Sequence, residues 1–145
     1  DTLVPGKPEG RLCERRLGWL NRTLAASRRP TIVAQHHPPF ASGLSVMDRM
    51  NLVDPAAEGA VIARYPHVER VICGHQHRTA HAGFGGTVAS ICPSAAHQLR
   101  LDLVPDARIG FTLEPSGFQL HLWDGDRLVT HTVMVEEFPS WGAHD

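Results

Sequence analysis

The chain lacks the features that mark several protein classes. Only one of its 145 residues is tyrosine, and only 6% are aromatic. No apolar run approaches the ~18 residues of a membrane-spanning helix, and no basic segment followed by an apolar one opens the chain. Lys and Arg number 14 against 15 Asp and Glu, which leaves a net charge of -1. Because this balance gives no field for a nucleic-acid polymer or an anionic membrane, neither is expected as a partner.

Cysteine is also scarce. Cys13, Cys73 and Cys92 form no C-x-x-C pair and leave an odd thiol. This argues against a disulfide framework and predicts a reducing, cytoplasmic location. The rest of the composition, with 42% hydrophobic and 20% charged residues, is typical of a globular protein. We see no linker that would divide the chain into two domains.

The chain is unusually rich in histidine. It contains ten histidines, and a neutral imidazole is the commonest metal ligand in proteins. Four of them stand in two short motifs. His36 and His37 precede two prolines, and His75 and His77 form an H-x-H motif after a glycine.

Strand and helix patterns place both motifs at strand ends. Residues 11–26 carry an apolar stripe at helical spacing. Thr31–Gln35 predicts a strand covered on both faces, residues 54–65 predict a helix with Asp54 as its N-cap, and Val68–Cys73 predicts a second strand. Strand, helix and strand in this order form a βαβ unit of an α/β fold. In open α/β sheets, ligands gather at the carboxyl ends of the strands.

Beyond residue 86 the pattern predicts strands only. The predicted strands are residues 87–91, 98–103, 118–123 and 127–135. The last two flank Asp124-Gly125, a dipeptide that favours a tight hairpin, so this half is expected to be antiparallel. Phe118, Leu120 and Trp123 alternate along the hairpin, either as its core or as the interface of a homo-oligomer.

The two histidine motifs can form one site. On an extended segment, residues two apart point the same way, so His75 and His77 can converge on one ion or on two adjacent ions. His36 can meet them across the sheet. Clustered imidazoles repel one another when protonated and cost desolvation energy when neutral, and a metal removes both penalties. We therefore interpret the motifs as metal-binding, with solvated loop histidines as the alternative.

In this order, the motifs resemble those of the calcineurin-like metallophosphoesterases. That family has H-x-P after a hydrophobic strand and G-H-x-H after the next strand. The Met47-Asp48 and Tyr65-Pro66 segments are similar to its branch of class III cyclic-nucleotide phosphodiesterases and glycerophosphodiesterases. The resemblance extends over most of the chain. It implies an α/β fold, specifically the C-terminal half of a β-sandwich flanked by helices, with a βαβ unit followed by antiparallel strands.

The resemblance implies roles for five histidines. His36 and His75 would bind one of two metal ions, and His77 would bind the other. His37 and His97 would face the substrate or support the ligands. The implied cofactors are two divalent transition metals, Fe, Mn, Zn or Co. The implied reaction is two-metal hydrolysis of a small phosphodiester, a cyclic nucleotide or a glycerophosphodiester.

The chain also departs from the family pattern. The family's Asp-x-His, Gly-Asp and Gly-Asn-His motifs supply its acidic and asparagine ligands, and none of them precedes His36 here. Two dications about 3.5 to 4 Å apart need such anionic ligands. We therefore expect residues 1–145 to be a single incomplete domain, the C-terminal half of a catalytic domain. Alone it would be inactive and would hold at most one weakly bound ion.

Two other interpretations stay open. The first is a non-catalytic module in which the same histidines hold a structural ion or serve an interaction. Structural zinc sites usually include cysteine thiolates. The second is a metallo-β-lactamase-like hydrolase. That family requires an aspartate and then a histidine at the positions where this chain has Thr79 and Ala80, and His81 follows one residue after them.

Overall fold

The computed structural model describes residues 1–142. Three helices lie in this range: α1 (Glu14–Ala25), α2 (Ser45–Asp48) and α3 (Pro55–Ile62). The strands are β1 (Gly10–Arg11), β2 (Thr31–Gln35), β3 (Leu52–Val53), β4 (Val68–Cys73), β5 (Ala80–Phe84), β6 (Thr87–Ile91), β7 (Gln98–Leu99), β8 (Phe111–Thr112), β9 (Gly117–Trp123) and β10 (Leu128–Met134). The predicted α/β class is confirmed.

The main sheet is four-stranded, in the order β2-β4-β6-β5. β2 and β4 pair in parallel with α3 between them in the chain, which confirms the predicted βαβ unit. β6 also pairs in parallel with β4, and β5 pairs with β6 in antiparallel fashion. The prediction of a purely antiparallel second half is therefore wrong. β5 was not predicted either, because its sequence is rich in small residues and lacks a β-branched run.

The core lies between the helices and this sheet. Leu20 and Leu24 of α1 are buried against Val61 and Ile62 of α3 and against the sheet. This confirms the helical stripe, although Cys13 at its start is exposed and lies before the helix. The predicted burial of β2 on both faces is wrong. Ile32 is 39% exposed and Ala34 on the same face is exposed too, whereas Val33 on the opposite face packs against the core. Only one face of β2 is therefore covered by the described residues.

The start of α3 lies where the sequence predicts it. Asp54 is the N-cap residue and Pro55 begins the helix, where its missing N–H costs nothing. The Asp54 side chain makes no capping hydrogen bond, because the residue has a φ of 54°, in the left-handed region, whereas a capping side chain normally needs an extended backbone.

The C-terminal hairpin is confirmed. β9 and β10 pair through seven residues each, from Leu128 opposite Trp123 to Met134 opposite Gly117. Gly125 at the turn has a φ of 102°, which explains the glycine at this position. The hairpin contacts the main sheet through Gln119, whose Nε2 donates to the Ile91 carbonyl at 3.3 Å. The segment 98–103 is shorter than predicted and forms only the two-residue strand β7.

No helix among residues 1–142 is both long enough and apolar enough to cross a bilayer.

One acidic side chain is buried in the core region. Glu58 of α3 is 1% exposed. Its Oε2 accepts a hydrogen bond from Gln35 Nε2 at 3.2 Å, and its Oε1 has no partner among the described residues. Burial raises the pKa of Glu58 from 4.5 to about 7, although the Gln35 hydrogen bond opposes this shift.

We predict that Glu58→Gln removes a pH dependence of stability. Between pH 4.5 and about 7 the folded protein keeps a proton that the unfolded chain has lost, so the free energy of unfolding falls as pH rises. From about pH 4 to about pH 8, the advantage of the variant over the wild type should grow by on the order of 3 kcal/mol. Urea denaturation at each pH measures it, with Glu136→Gln, an exposed site, as the control. A difference that stays constant with pH would contradict the assignment.

Candidate metal centre

The parallel pairing of β2 and β4 brings the two histidine motifs together. Gln35 and Cys73 are partners at the ends of these strands, so His36 and Gly74 emerge side by side. The Gly74 N–H donates to the His36 carbonyl at 3.1 Å. One residue further, His36 Nε2 and His75 Nδ1 lie 3.1 Å apart. The predicted meeting of the motifs is therefore observed.

Three imidazoles form the centre of the cluster. His36, His37 and His75 each offer a ring nitrogen, and these atoms all lie within 4.8 Å of one another. The ring centroids of each pair are 4.9 Å apart. No carboxylate or thiolate belongs to this triad, which is the one such group found within residues 1–142.

His37 is held by hydrogen bonds on both ring nitrogens. Its Nε2 lies 3.1 Å from the Pro8 carbonyl, which can only accept, so Nε2 carries the proton. Its Nδ1 then accepts the hydroxyl proton of Thr2 at 2.7 Å. A Cβ at Gly10 would overlap the ring, so this glycine is needed for the close packing. With both nitrogens engaged, His37 supports its neighbours and has no lone pair free for a metal.

The Gly74-His75-Gln76-His77 loop does not have the extended form predicted for it. His75 and His77 have φ values of 71° and 46°, both in the left-handed region. The Gln76 N–H donates back to the Gly74 carbonyl at 2.8 Å, which closes a tight turn. The expectation of an extended H-x-H with both histidines on one side is therefore wrong. Left-handed conformations cost energy in residues with a Cβ, so tertiary contacts must hold this loop.

His77 and His97 form a second imidazole pair beside the triad. Their ring centroids are 4.9 Å apart, and His97 also contacts the Phe111 ring edge to face. His77 lies outside the triad of ligand atoms, yet it is near enough for its charge to lower the pKa of His75. The structure therefore groups all five predicted histidines in one region, as a triad and an adjoining pair.

Burial and neighbouring charges favour the neutral form of two imidazoles, His75 and His37. Burial lowers the pKa of His75 to about 4, and the charges of His37 and His36 lower it further. Burial and His36 also lower the pKa of His37. A neutral imidazole is the form that binds metal, so the His75 ring is ready to act as a ligand at neutral pH.

The donor atoms fit a transition-metal site. His75 Nε2 and His77 Nδ1 are buried and have no hydrogen-bond partner among the described residues. Unpaired buried nitrogens are costly in protein interiors, and a metal ion would satisfy them. Imidazole nitrogen suits Zn, Fe, Mn and Co. The residues present therefore fit part of a metal coordination shell, with acidic ligands missing from the triad.

Several residues around the centre were not predicted. Thr2 and Gly10 lie in a segment that the sequence marks only as irregular, yet both contact His37. Asn51 and Gln76 form a buried hydrogen bond of 2.8 Å beneath the histidine loop. One of these residues could have been suspected from the sequence, because Gln76 stands between two candidate ligands. Its burial and its partner could not be read from spacing.

No cysteine belongs to the group of ligand atoms found at the centre. Cys73 is buried at the end of β4, and burial raises the pKa of its thiol to about 12, with the charge of Glu58 adding to the shift. A thiol held protonated is a poor metal ligand. The alternative of a structural zinc site therefore gains no cysteine ligand from this part of the structure.

The chain is similar to curated bacterial phosphodiesterases. It is 37% identical to a probable cyclic nucleotide phosphodiesterase of Rhodopseudomonas palustris, over 100% of this chain and 55% of the relative. It is 33% identical to a probable glycerophosphodiester phosphodiesterase of Arcobacter nitrofigilis, over 95% of this chain and 52% of the relative. A 3',5'-cyclic adenosine monophosphate phosphodiesterase of Escherichia coli is 36% identical over 69% of this chain and 37% of its own length.

The chain resembles these phosphodiesterases in sequence over all or most of its length. The relatives are consistent with the predicted calcineurin-like metallophosphoesterases, and that prediction is confirmed. No protein-family model matches the chain. The chain spans about half the length of the curated relatives it matches.

We predict that the hydroxyl of Thr2 stabilises the fold through His37. Thr2→Val keeps the shape of the side chain but leaves His37 Nδ1 buried without a donor, which should cost about 1 to 3 kcal/mol. Thr23→Val on α1 removes a hydroxyl from an exposed position and should change stability by about 0.5 kcal/mol or less. Urea denaturation compares the two variants. Equal losses would mean that the bond to His37 contributes nothing.

Proposed function

We propose that this chain supplies part of the active site of a metal-dependent phosphodiester hydrolase. The observation that carries the proposal is the meeting of the two histidine motifs, with His36 Nε2 3.1 Å from His75 Nδ1 and two buried imidazole nitrogens left without partners. The names of the relatives favour a cyclic nucleotide or a glycerophosphodiester as the substrate. Sequence similarity to phosphodiesterases supports a catalytic role over a structural one.

We assign the ligand role to His36, His75 and His77. His36 is exposed at the strand end and can turn its ring toward a metal or solvent. His75 is kept neutral by burial, which lowers its pKa, and His77 offers an unpaired Nδ1. When bound, divalent metals would polarise the phosphoryl oxygens, lower the pKa of a water and align the attacking and leaving oxygens.

His37 and His97 have different tasks in this proposal. His37 carries its proton on Nε2 and donates a hydrogen bond to the Pro8 carbonyl. Its ring is thereby fixed against His36 and His75 and limits where they can move. His97 lies beside His77 and Phe111, at the border between the cluster and an exposed aromatic ring. This position suits a contact between His97 and the leaving group of the substrate.

A dinuclear centre needs anionic ligands beyond this histidine cluster. The three proposed ligands are all imidazoles, and the triad contains no carboxylate. Three neutral ligands cannot offset the repulsion between two dications. We infer that acidic ligands come from outside the described residues. The chain alone would then bind at most one ion, weakly, and would have little or no activity.

We predict that His75→Ala and His77→Ala abolish activity while the fold is retained. When the complete metal centre is present, each variant should lower the turnover of bis(p-nitrophenyl) phosphate by more than about 100-fold. Even residues that only orient metal ligands can contribute up to that factor. Circular dichroism checks the fold, and atomic absorption checks the metal content. His131→Ala, on the exposed side of the hairpin, is the matched control and should leave turnover unchanged.

The same variants decide between the assignments. Normal turnover and full metal content in His75→Ala or His77→Ala would remove those residues from the ligand set. A tightly bound, stoichiometric metal without hydrolysis of any phosphodiester would favour the structural module instead. Comparing cyclic adenosine monophosphate with glycerophosphocholine as substrates would separate the two substrate classes.

A further inference from the structure

A buried polar cluster lies beneath the histidine loop and takes no part in the proposed metal coordination. It consists of Asp48, Asn51 and Gln76. Gln76 is fully buried, and Asn51 is 7% exposed. Gln76 Nε2 donates to Asp48 Oδ1 at 3.0 Å and to Asn51 Oδ1 at 2.8 Å. Both amide protons of Gln76 are therefore used inside the protein.

Asn51 joins the two histidine motifs through this cluster. Its Oδ1 accepts from Gln76, between His75 and His77. Its Nδ2 donates to the Phe40 carbonyl at 2.9 Å, in the segment that follows His36. A single side chain thus ties the end of one motif to the middle of the other.

Asp48 anchors the cluster at a fixed point. Its Oδ1 accepts from the Ser42 N–H at 2.9 Å, and its Oδ2 accepts from the Gly43 N–H at 2.9 Å. The Ser42 hydroxyl and Asn51 Nδ2 add further hydrogen bonds to Oδ1, at 3.0 and 3.2 Å. A carboxylate with this many donors has one orientation, and the amides that donate to it are oriented in turn.

The residues flanking Gln76 are the ones that need to be held. His75 and His77 both have left-handed backbone conformations, which residues with a Cβ adopt only when their surroundings impose them. Gln76 lies between them with its side chain locked, so its backbone and theirs cannot rotate freely. Its Oε1 is buried without a partner among the described residues, a cost that an apolar side chain at this position would avoid.

We propose that Asp48, Asn51 and Gln76 are positioning residues, which hold His75 and His77 in the conformation that directs their rings to the centre. This inference rests on the proposed function, in which those two histidines bind metal. The three residues touch neither the metal nor the substrate. They act through the backbone of the loop, as outer groups often do when they orient metal ligands.

The test measures zinc affinity and ring geometry on the 145-residue chain. Gln76→Leu keeps the size of the side chain and removes both donors, and Asn51→Ala cuts the tie to the Phe40 carbonyl. Gln119→Leu is the matched control, because it removes an amide that also donates to a backbone carbonyl but whose hydrogen bonds go to Ser90 and Ile91 and not to the histidine loop. Zinc titration by calorimetry gives the affinity. The nuclear Overhauser effect between the His36 and His75 rings reports their approach without any metal.

We expect the dissociation constant for zinc to rise at least about ten-fold in Gln76→Leu and in Asn51→Ala. The Overhauser effect should weaken in both, while circular dichroism stays that of the wild type. Gln119→Leu should match the wild type in every measurement. Unchanged affinity and an unchanged Overhauser effect in Gln76→Leu would overturn the proposal.

Other outcomes are also decisive. If Gln76→Leu and Asn51→Ala both unfold while Gln119→Leu folds, the cluster is structural and the positioning role is rejected. If His75→Ala binds zinc as well as the wild type does, the proposed function fails. Absence of binding in the wild-type chain leaves the proposed function standing, because this chain alone is expected to bind at most one ion, weakly. The Overhauser effect then still decides whether the cluster positions the histidine rings.

Discussion

The parallel pairing of β2 with β4 is the constraint on which the centre depends. Neighbouring strands lie about 4.8 Å apart, a spacing close to that between two packed imidazole rings. Because Gln35 is the partner of Cys73, the next residues of both strands emerge at one edge of the sheet in register. A slip of one residue would turn His36 away from His75 and dissolve the triad. The pairing is in turn stabilised by the apolar core, in which Val71 is fully buried.

The cluster then has to keep several imidazoles close together without charge. Burial does this for His75, whose pKa falls to about 4. His37 is treated differently, because Thr2 and the Pro8 carbonyl occupy both of its nitrogens. His75 therefore keeps an unpaired ring nitrogen, Nε2, whereas both ring nitrogens of His37 are hydrogen-bonded. This division separates a side chain that can coordinate an ion from one that supports it.

The chemistry of the donors limits what the described histidines can do by themselves. Imidazoles bind transition metals well, but they do not neutralise them. A centre built from the described histidines alone has no anionic ligand in its triad. The proposed dinuclear centre therefore needs acidic ligands beyond this cluster.

Local pattern alone determined the elements whose signals lie within a few residues. Periodicity and turn chemistry are enough to predict the apolar stripe of α1, the βαβ unit around α3, and the hairpin at Asp124-Gly125. The position of the histidine motifs at strand ends follows from their place in the sequence, directly after β2 and β4. Tertiary structure alone decided the rest. Partners far away in the chain decide three features: the parallel pairing of β6, the left-handed turn at His75 and His77, and the hydrogen bonding of both ring nitrogens of His37. Thr2 meets His37 and Asn51 meets Gln76 only after the sheet has formed, because hydrogen bonds between buried groups are selected by packing and leave no spacing pattern in the sequence.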